Sequence, residues 1–538
     1  MSSTNPASSS PLKNSVYRFL WITMFVSDIG ASMQTAGSGW LMTSIATSPF
    51  VVSLLQVMTS LSIFLLAFPA GALADIIDRR NLFLATQYFS LVVAIILSFL
   101  TFEGVTTSSI LVVFTLLFGL SNAMSLPVNV VIQTEIVPKK IALAAMTLFS
   151  VAIYIGFAVG PLLGGLVVAA AGPGMVFLLN AFSFIGIIVF LHRWNKPSER
   201  KLPPEQVIGA IRTGLRYMRH SLHVRALLVR DFTITICASA VISLLPLLAR
   251  NEAGSNSILF GVLVGALGLG GLFSGFVIVP QIKNISIEKR VAGSIILYAI
   301  AMVVISFHNG IVILFVGLFV IGTTLIIISS SLNFVAYNSV SSWVRTRVVS
   351  VHQMMYWGGV SFGSIIWGIV AEIWGMQTAL MAAAIGLVVG LVISTRYKLK
   401  PLSDVDLTPS MHWYMPRTMI DIDDHAEGTV LVEMEFQIDP TRSQEFESAM
   451  IYVRSIILRD GAIRWELFHD VENPSRYVMM FASESWTDHL RHHERMTKAD
   501  LAIEQHAISF HVGKDPPRVS HLISEDMSRQ NPKMKNND

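Results

Sequence analysis

Twelve apolar blocks follow one another between residues 19 and 396, each about twenty residues or longer and nearly free of charge. A helix needs roughly 20 apolar residues to cross ~30 Å of hydrocarbon. In lipid every backbone polar group must be satisfied within the segment, so blocks of this kind cross as helices. A soluble core does not contain so many consecutive uncharged segments. The expected spans are about 19–45, 50–74, 82–102, 109–134, 141–170, 175–193, 224–249, 258–282, 290–308, 311–337, 347–372 and 376–396. Charged residues make up 14% of the chain, against about 25% in soluble domains. The deficit is confined to these blocks, since 412–538 reads as an ordinary soluble sequence. The net charge of +3 therefore points to no nucleic-acid partner; the expected surroundings are a lipid bilayer.

Orientation follows from the short loops. Lys13 and Arg18, Arg79 and Arg80, Lys139 and Lys140, Arg193 to Arg230, Lys283 to Arg290, Arg345 and Arg347, and Arg396 to Lys400 lie in alternate connections. The other connections carry a single basic residue, Arg250. An even number of spans is expected, in the plasma membrane of a bacterium (the inner membrane), with both termini cytoplasmic. Residues 1–18 lack an apolar h-region and a small-residue cleavage site, and are expected to be a disordered cytoplasmic tail. The longest internal connection, 194–223, divides the spans into two six-helix halves, 19–193 and 224–396. Its basic stretch Ile211–His220 reads as an amphipathic helix on the membrane face, or more simply as a solvated linker. Cys237 is the one cysteine, so no intrachain disulfide forms and the compartment is not indicated.

Two motifs carry mechanism. Gly71-Ala-Leu-Ala-Asp75-Ile-Ile-Asp78-Arg79-Arg80 lies between spans two and three and resembles the G-x-x-x-D-x-x-G-R-[KR] signature of major facilitator superfamily transporters. Ile76 and Asp78 depart from that pattern. Gly71 permits close helix approach, Asp75 would cap a helix N-terminus, and Arg79 would pair with a carboxylate in a gate that includes Arg80 and Glu135. In span five, Gly156, Gly160, Pro161, Gly164 and Gly165 resemble the glycine–proline motif of major facilitator exporters. They form a small-residue face on a helix that Pro161 would bend; generic helix packing is the plainer account. Gly39–Thr43, Phe68–Asp75, Val137-Pro138 and Phe177–Phe184 look like the branch that includes the enterobactin exporter, whose longer members are transmembrane secretion effectors. The likeness covers essentially 15–510. It implies a major facilitator fold and a secondary transporter, not an enzyme. The Asn and Arg that this branch often carries before the span-five Gly-Pro are here Tyr154 and Phe157, which weakens a siderophore assignment.

Charge deep in a bilayer is costly and is a functional candidate by default. Asp28 lies about 13 Å into span one at 1.5 Å per residue, and is the candidate proton-coupling site; a carboxyl hydrogen-bonded to a neighbouring span is the alternative. Asp231 is expected at the interface and Glu372 at the outer end of span eleven. Gln34, Gln56, Asn122, Asn129, Asn180, Asn333, Asn338 and Gln353, with Tyr356 and Trp357, are candidates for the substrate pathway. Each taken alone also fits a helix–helix hydrogen bond. Such a lining suits an amphiphilic or aromatic small molecule better than an ion.

Residues 397–428 read as a linker broken by Pro401, Pro409 and Pro416. Beyond it, Thr429–Ile438 alternates as a strand, 440–459 as a helix, Ile463–Asp470 and Arg476–Ser483 as a hairpin, 486–505 as a helix, and Ala507–Val512 as a last strand. The order βαββαβ is ferredoxin-like, and resembles the small antibiotic-biosynthesis-monooxygenase barrels, which usually pair; a dimer contact through this domain is expected. The domain is placed at 429–512, with 513–538 a disordered tail. His489, His492, His493 and Glu494 invite a metal reading, since His489 and His493 share a helix face. The interleaved Arg491 and Arg495 favour a solvated or dimer-contact face, so no metal and no cofactor is expected. The P-loop G-x-x-x-x-G-K-[ST] is absent. The expected function is proton-coupled export of a small organic molecule (metabolite, drug or siderophore) by alternating access. The alternative is a membrane-anchored sensor or monooxygenase-like enzyme whose tail carries the activity.

Overall fold

The computed structural model describes residues 10–76, 78–194, 217–219, 221–307, 310–394, 428–524 and the single residues 406, 408 and 410. They fall into two compact units. One comprises Met1–Pro204, Ala226–Val335 and Ser350–Leu399; the other comprises Glu205–Arg225, Ala336–Val349 and Lys400–Asp538. The amphipathic helix expected at Ile211–His220 lies mostly outside the described residues, of which 217–219 are helical.

Twelve long helices are described: α1 (Ser15–Ile45), α2 (Pro49–Ile76), α3 (Arg79–Phe102), α4 (Ser108–Glu135), α5 (Ala142–Ala171), α6 (Pro173–Arg193), α7 (Leu222–Ala253), α8 (Ser257–Gln281), α9 (Ile287–Phe307), α10 (Ile311–Asn338), α11 (Ser342–Trp374) and α12 (Met376–Ser394). All but α1 are long and apolar enough to cross a membrane. At 31 residues α1 has the length, but Ser27, Asp28, Ser32, Gln34 and Ser38 dilute its hydropathy. Those residues are largely turned inward, while Ile96, Phe99, Phe182, Val312 and Ile385 are exposed. This inversion of a soluble protein's pattern suits contact with lipid.

The helix starts follow local chemistry. Asn14, Asp78, Thr107 and Asn256 each accept a hydrogen bond from a backbone N–H in the first turn of α1, α3, α4 and α8, which satisfies donors that have no partner within the helix. α8 carries a π-turn over Ser274–Ile278. α1 packs on α5 and α6, α2 on α4, α3 on α4 and α6, and α9 on α12. Among the described residues the first six helices meet the second six at several places, with α1 touching α7 and α8 through Gly39 and Trp40. α5 lies against α8. α2 meets α11 where Gly358 faces the Phe64 ring and Gly368 faces Phe50 and Ser53.

The soluble domain consists of β1 (Val430–Gln437), α13 (Ser443–Asp460), β2 (Arg464–His469), β3 (Arg476–Ser483), α14 (Trp486–Arg495), α15 (Lys498–Ile508) and β4 (Arg518–Ile523). The sheet order is β2-β3-β1-β4, and every neighbouring pair is antiparallel. This is the split βαβ arrangement expected of a ferredoxin-like domain. In β1, Val430, Val432, Met434 and Phe436 point into the core and alternate with more exposed residues. Phe446 of α13 is fully buried against Phe436, Tyr477 and Phe510.

Three expectations need correction here. The final strand is Arg518–Ile523, not Ala507–Val512: residues up to Ile508 continue α15, and only His511 makes an isolated bridge to Ile438. The domain therefore runs past 512 into what was read as a disordered tail. The helix expected over 486–505 is two, because Thr497 caps a new start with a reciprocal Thr497–Asp500 capping box. The linker is not wholly detached either, since Thr408 accepts from Lys498 N and Ser410 N donates to Met496 O.

Truncating Phe446 to Ala leaves a cavity costing about 3–5 kcal/mol. Hydrogen–deuterium exchange of the full chain should show amides of β1 and β3 exchanging at least about a hundredfold faster, with α1–α12 unchanged.

Candidate transport site

The glycine face of α5 and the acidic residue of α1 belong to one helix crossing. A Cβ added at Gly156 would lie 3.2 Å from the Asp28 backbone, one at Gly160 would sit against the Ser32 side chain, and one at Gly164 would lie 3.0 Å from Met33 O. Glycine every fourth residue lets two backbones approach without side chains between them. Gly165 turns to the other side, where a Cβ would collide with Ser257 O of α8. The relation is mutual, since Gly261 and Gly268 of α8 face the carbonyls of Pro161 and Phe157. Ser257 Oγ donates to Gly165 O at 3.0 Å. α5 continues through Pro161 without a break and is held on both sides by backbone contact.

Asp28 sits two residues before the middle of α1, a helix of 31 residues. Its Oδ2 is buried and has no hydrogen-bond partner among the described residues. The carboxyl is thus not tied to a neighbouring span through that atom.

At the basic end, Asp78 accepts from Asn81 N at 2.9 Å and starts α3. Arg79 Nη1 pairs with Glu135 Oε1 at 2.9 Å, linking the start of α3 to the end of α4. Arg80 donates to Leu191 O and His192 O at 2.7 and 3.0 Å, linking α3 to the end of α6. Gly71 and Asp75 lie on α2; their side-chain surroundings are outside the described residues. At the far end, Glu372 accepts from Ser48 Oγ at 2.6 Å and from Phe50 N at 3.3 Å. The Arg250 guanidinium lies 3.9 Å over the Trp40 ring. Both contacts join the first six helices to the second six.

The uncharged candidates divide. Asn180 Nδ2 donates to Gln34 Oε1, and both are buried; a Cβ at Gly30 would lie 2.7 Å from Asn180 Oδ1. This pair acts as a helix–helix clasp between α1 and α6. Asn129 accepts from the buried Gln133 at 2.7 Å, and Asn333 Nδ2 donates to Ser329 O at 2.9 Å within α10. Gln56, Tyr356 and Trp357 are half-buried, whereas Asn122, Asn338 and Gln353 are exposed. Tyr356 and Trp357 rings stand 5.2 Å apart, edge to face.

Asp231 is buried within the protein. It is the tenth residue of α7, which begins at Leu222, and its Oδ2 faces His352 Nδ1 of α11 at 3.2 Å, with both side chains 2% exposed. Arg230 beside it pairs with Glu288 of α9 at 2.8 Å. The sequence reading missed His352 because α11 was begun at 347, which put the histidine near a helix end. The helix begins at Ser342, and this places His352 nearly one and a half turns further from the helix start.

The tail histidines are not on a solvated face. His489 and His492 are almost fully buried against Phe481, with Trp486 also over His489. Burial, reinforced by the neighbouring His493 and His521, pushes His489 down to about 3; burial also brings His492 to about 3. Both are neutral near pH 7. Arg459 bridges Asp460 at 2.8 Å and Asp500 at 2.7 Å. Within this same compact unit Arg459 lies 5.6 Å over Tyr217, Arg495 lies 4.5 Å over Trp343, and Tyr217 and Trp343 meet edge to face at 5.6 Å.

Removing one member of a buried polar pair strands the other without its neighbour and costs about 1–3 kcal/mol, whereas replacing both with apolar groups of similar shape can be nearly neutral. His352→Leu should therefore lower the thermal midpoint of the detergent-solubilised protein, and Asp231→Leu combined with His352→Leu should recover most of the loss.

Residues 6–530 match the transmembrane secretion effector family. Among curated proteins the chain is 24% identical to the staphyloferrin A transporter of Staphylococcus aureus, over 67% of this chain and 90% of that one. It is also 24% identical to the multidrug efflux pump Tap of Mycolicibacterium fortuitum, over 65% and 90%. Among solved structures it resembles the nucleoside transporter NupG, with a TM-score of 0.59 at 13% identity, covering 71% of this chain and 98% of that one. It also resembles a bacterial homologue of the human lysosomal transporter Spinster in an inward-facing, unoccupied conformation, with a TM-score of 0.57 at 14% identity, covering 72% and 98%. These likenesses carry the fold, and the match over nearly the whole length carries the family: the chain is a multi-pass membrane protein belonging to the transmembrane secretion effector family of major facilitator transporters.

Proposed function

We propose that the protein exports a small organic molecule, driven by protons entering the cell, with both termini and the soluble domain in the cytoplasm. The observation that carries this reading is the placement of Asp28 on the glycine-lined α1–α5 crossing, with a buried carboxylate oxygen that has no hydrogen-bond partner among the described residues. A lone carboxyl in a low-dielectric interior can be kept neutral by a proton and becomes costly when the proton leaves. That difference can bias one packing of the helices over another. The bilateral glycine contacts of α5 supply a surface on which the two six-helix halves can rock. The far-end contacts Ser48–Glu372 and Trp40–Arg250 close that end, so cargo would enter from the basic end, which the positive-inside rule assigns to the cytoplasm. The staphyloferrin A transporter and the multidrug efflux pump Tap, by their names, handle organic molecules, and an organic cargo is the reading adopted for this chain.

The cargo is found by comparing metabolites retained by a deletion strain with those of its parent. Everted vesicles should then accumulate it, and a protonophore should abolish accumulation; accumulation indifferent to the protonophore would remove proton coupling. Asp28→Asn should reduce accumulation to the level of vesicles lacking the protein, with membrane abundance unchanged. Orientation has its own test in a Cys237→Ser background. Glu103→Cys should react with a membrane-impermeant maleimide on intact cells and Asp78→Cys should not; the reverse pattern would invert the topology.

A further inference from the structure

We propose that His489, His493 and His521 of the soluble domain form a binding site for one divalent transition-metal ion of the zinc or cobalt type. One ring nitrogen from each histidine can be chosen so that all lie within 4.8 Å of one another. His489 and His493 project from adjacent turns of α14, with their Nε2 atoms 3.1 Å apart. Two nitrogens bound to one ion at 2.0–2.1 Å in tetrahedral geometry stand about 3.3–3.4 Å apart. The pair is therefore already near ligating separation, and His521 closes the set with a small side-chain movement.

The fold brings the third ligand in. His521 lies on β4 opposite Val432 of β1, and directly opposed residues of an antiparallel pair share a face. Val432 faces the core beneath the helices, so His521 comes up on the same side and its ring reaches 4.9 Å from that of His489. The site is walled by Trp486, which meets both His489 and His521, and by Phe481. Three imidazoles with an apolar wall suit zinc, cobalt, nickel or copper rather than the oxygen-seeking magnesium or calcium, and leave a fourth position for water or another ligand. A hydrogen bond between His489 and His493 accounts for their 3.1 Å separation without an ion. It does not account for the convergence of His521 on the same pair. An ion here would pin edge strand β4 to α14, whose last residue, Arg495, lies over Trp343 at the start of α11.

The test uses the full-length chain in detergent, freed of any affinity tag containing histidine, stripped with a chelator and titrated with Co2+. The expected result is the visible absorption of four- or five-coordinate cobalt, saturating at one ion per chain and displaced by Zn2+. His521→Gln should weaken binding by at least about tenfold, and His506→Gln, an exposed histidine on the neighbouring α15, should leave it unchanged. Hydrogen exchange of β1 checks that the His521→Gln domain is folded; if it is not, His493→Gln serves in its place. Cobalt absorption that fails to saturate at one per chain, or that a folded ligand variant leaves unchanged, overturns the site.

Discussion

Backbone-to-backbone contact on both sides of α5 is the constraint on which the membrane unit depends. Gly156, Gly160 and Gly164 admit α1, while Gly165 and its counterparts Gly261 and Gly268 admit α8. No hydrophobic force between helices is available in lipid, so close van der Waals packing must hold the halves together. The same absence of side chains leaves a smooth surface, across which sliding or tilting meets no interlocked knobs. A substitution there displaces the helix that carries Asp28 as well as the partner half. Cohesion and mobility are thus set by the same few residues.

Polar chemistry in the membrane unit is sorted by depth and by partner. At the basic end the start of α3 is tied to α4 and α6 through Arg79 and Arg80. At the far end the charged groups Glu372 and Arg250 reach across to the other half. Between them lie two carboxylates, each with a buried oxygen that makes no hydrogen bond among the described residues: Asp231 has the ring nitrogen of His352 3.2 Å away, whereas Asp28 lies on the glycine-lined crossing with α5. The energy of such a carboxyl depends on whether it holds a proton.

Much of the architecture was legible because lipid imposes a length and polarity code on each segment. The twelve helices and the first β-strand, helix and hairpin of the soluble domain followed from hydropathy and alternation. What failed were features decided by distant partners. The strand Arg518–Ile523 is short and follows Pro516-Pro517; it exists because the edge of β1 offers it a ladder. The contact between Asp231 and His352 was hidden because the expected start of α11 at 347 lies five residues past Ser342, which shifts a side chain by more than a turn along the helix. The histidines of α14 read as solvated because Arg491 lies among them and Arg495 just after them, yet a helix has two faces. His489 and His492 point to the sheet while Arg491 points away. His521, 32 residues beyond His489 in sequence, had no local signal at all.

The π-turn at Ser274–Ile278 carries a consequence for how α8 can change. A turn of this kind is what an α-helix shows where one extra residue has been accommodated. Everything on the basic-end side of it is rotated by about 100° relative to an uninterrupted helix, while Gly261, Gly268 and Gly270 on the other side keep their contacts with α5 and α10. A one-residue deletion within 274–278 would re-aim the basic end of α8 as a single step and leave the crossing intact. Such a helix offers evolution a register switch by which the side chains presented at one mouth can be exchanged without redesigning the hinge.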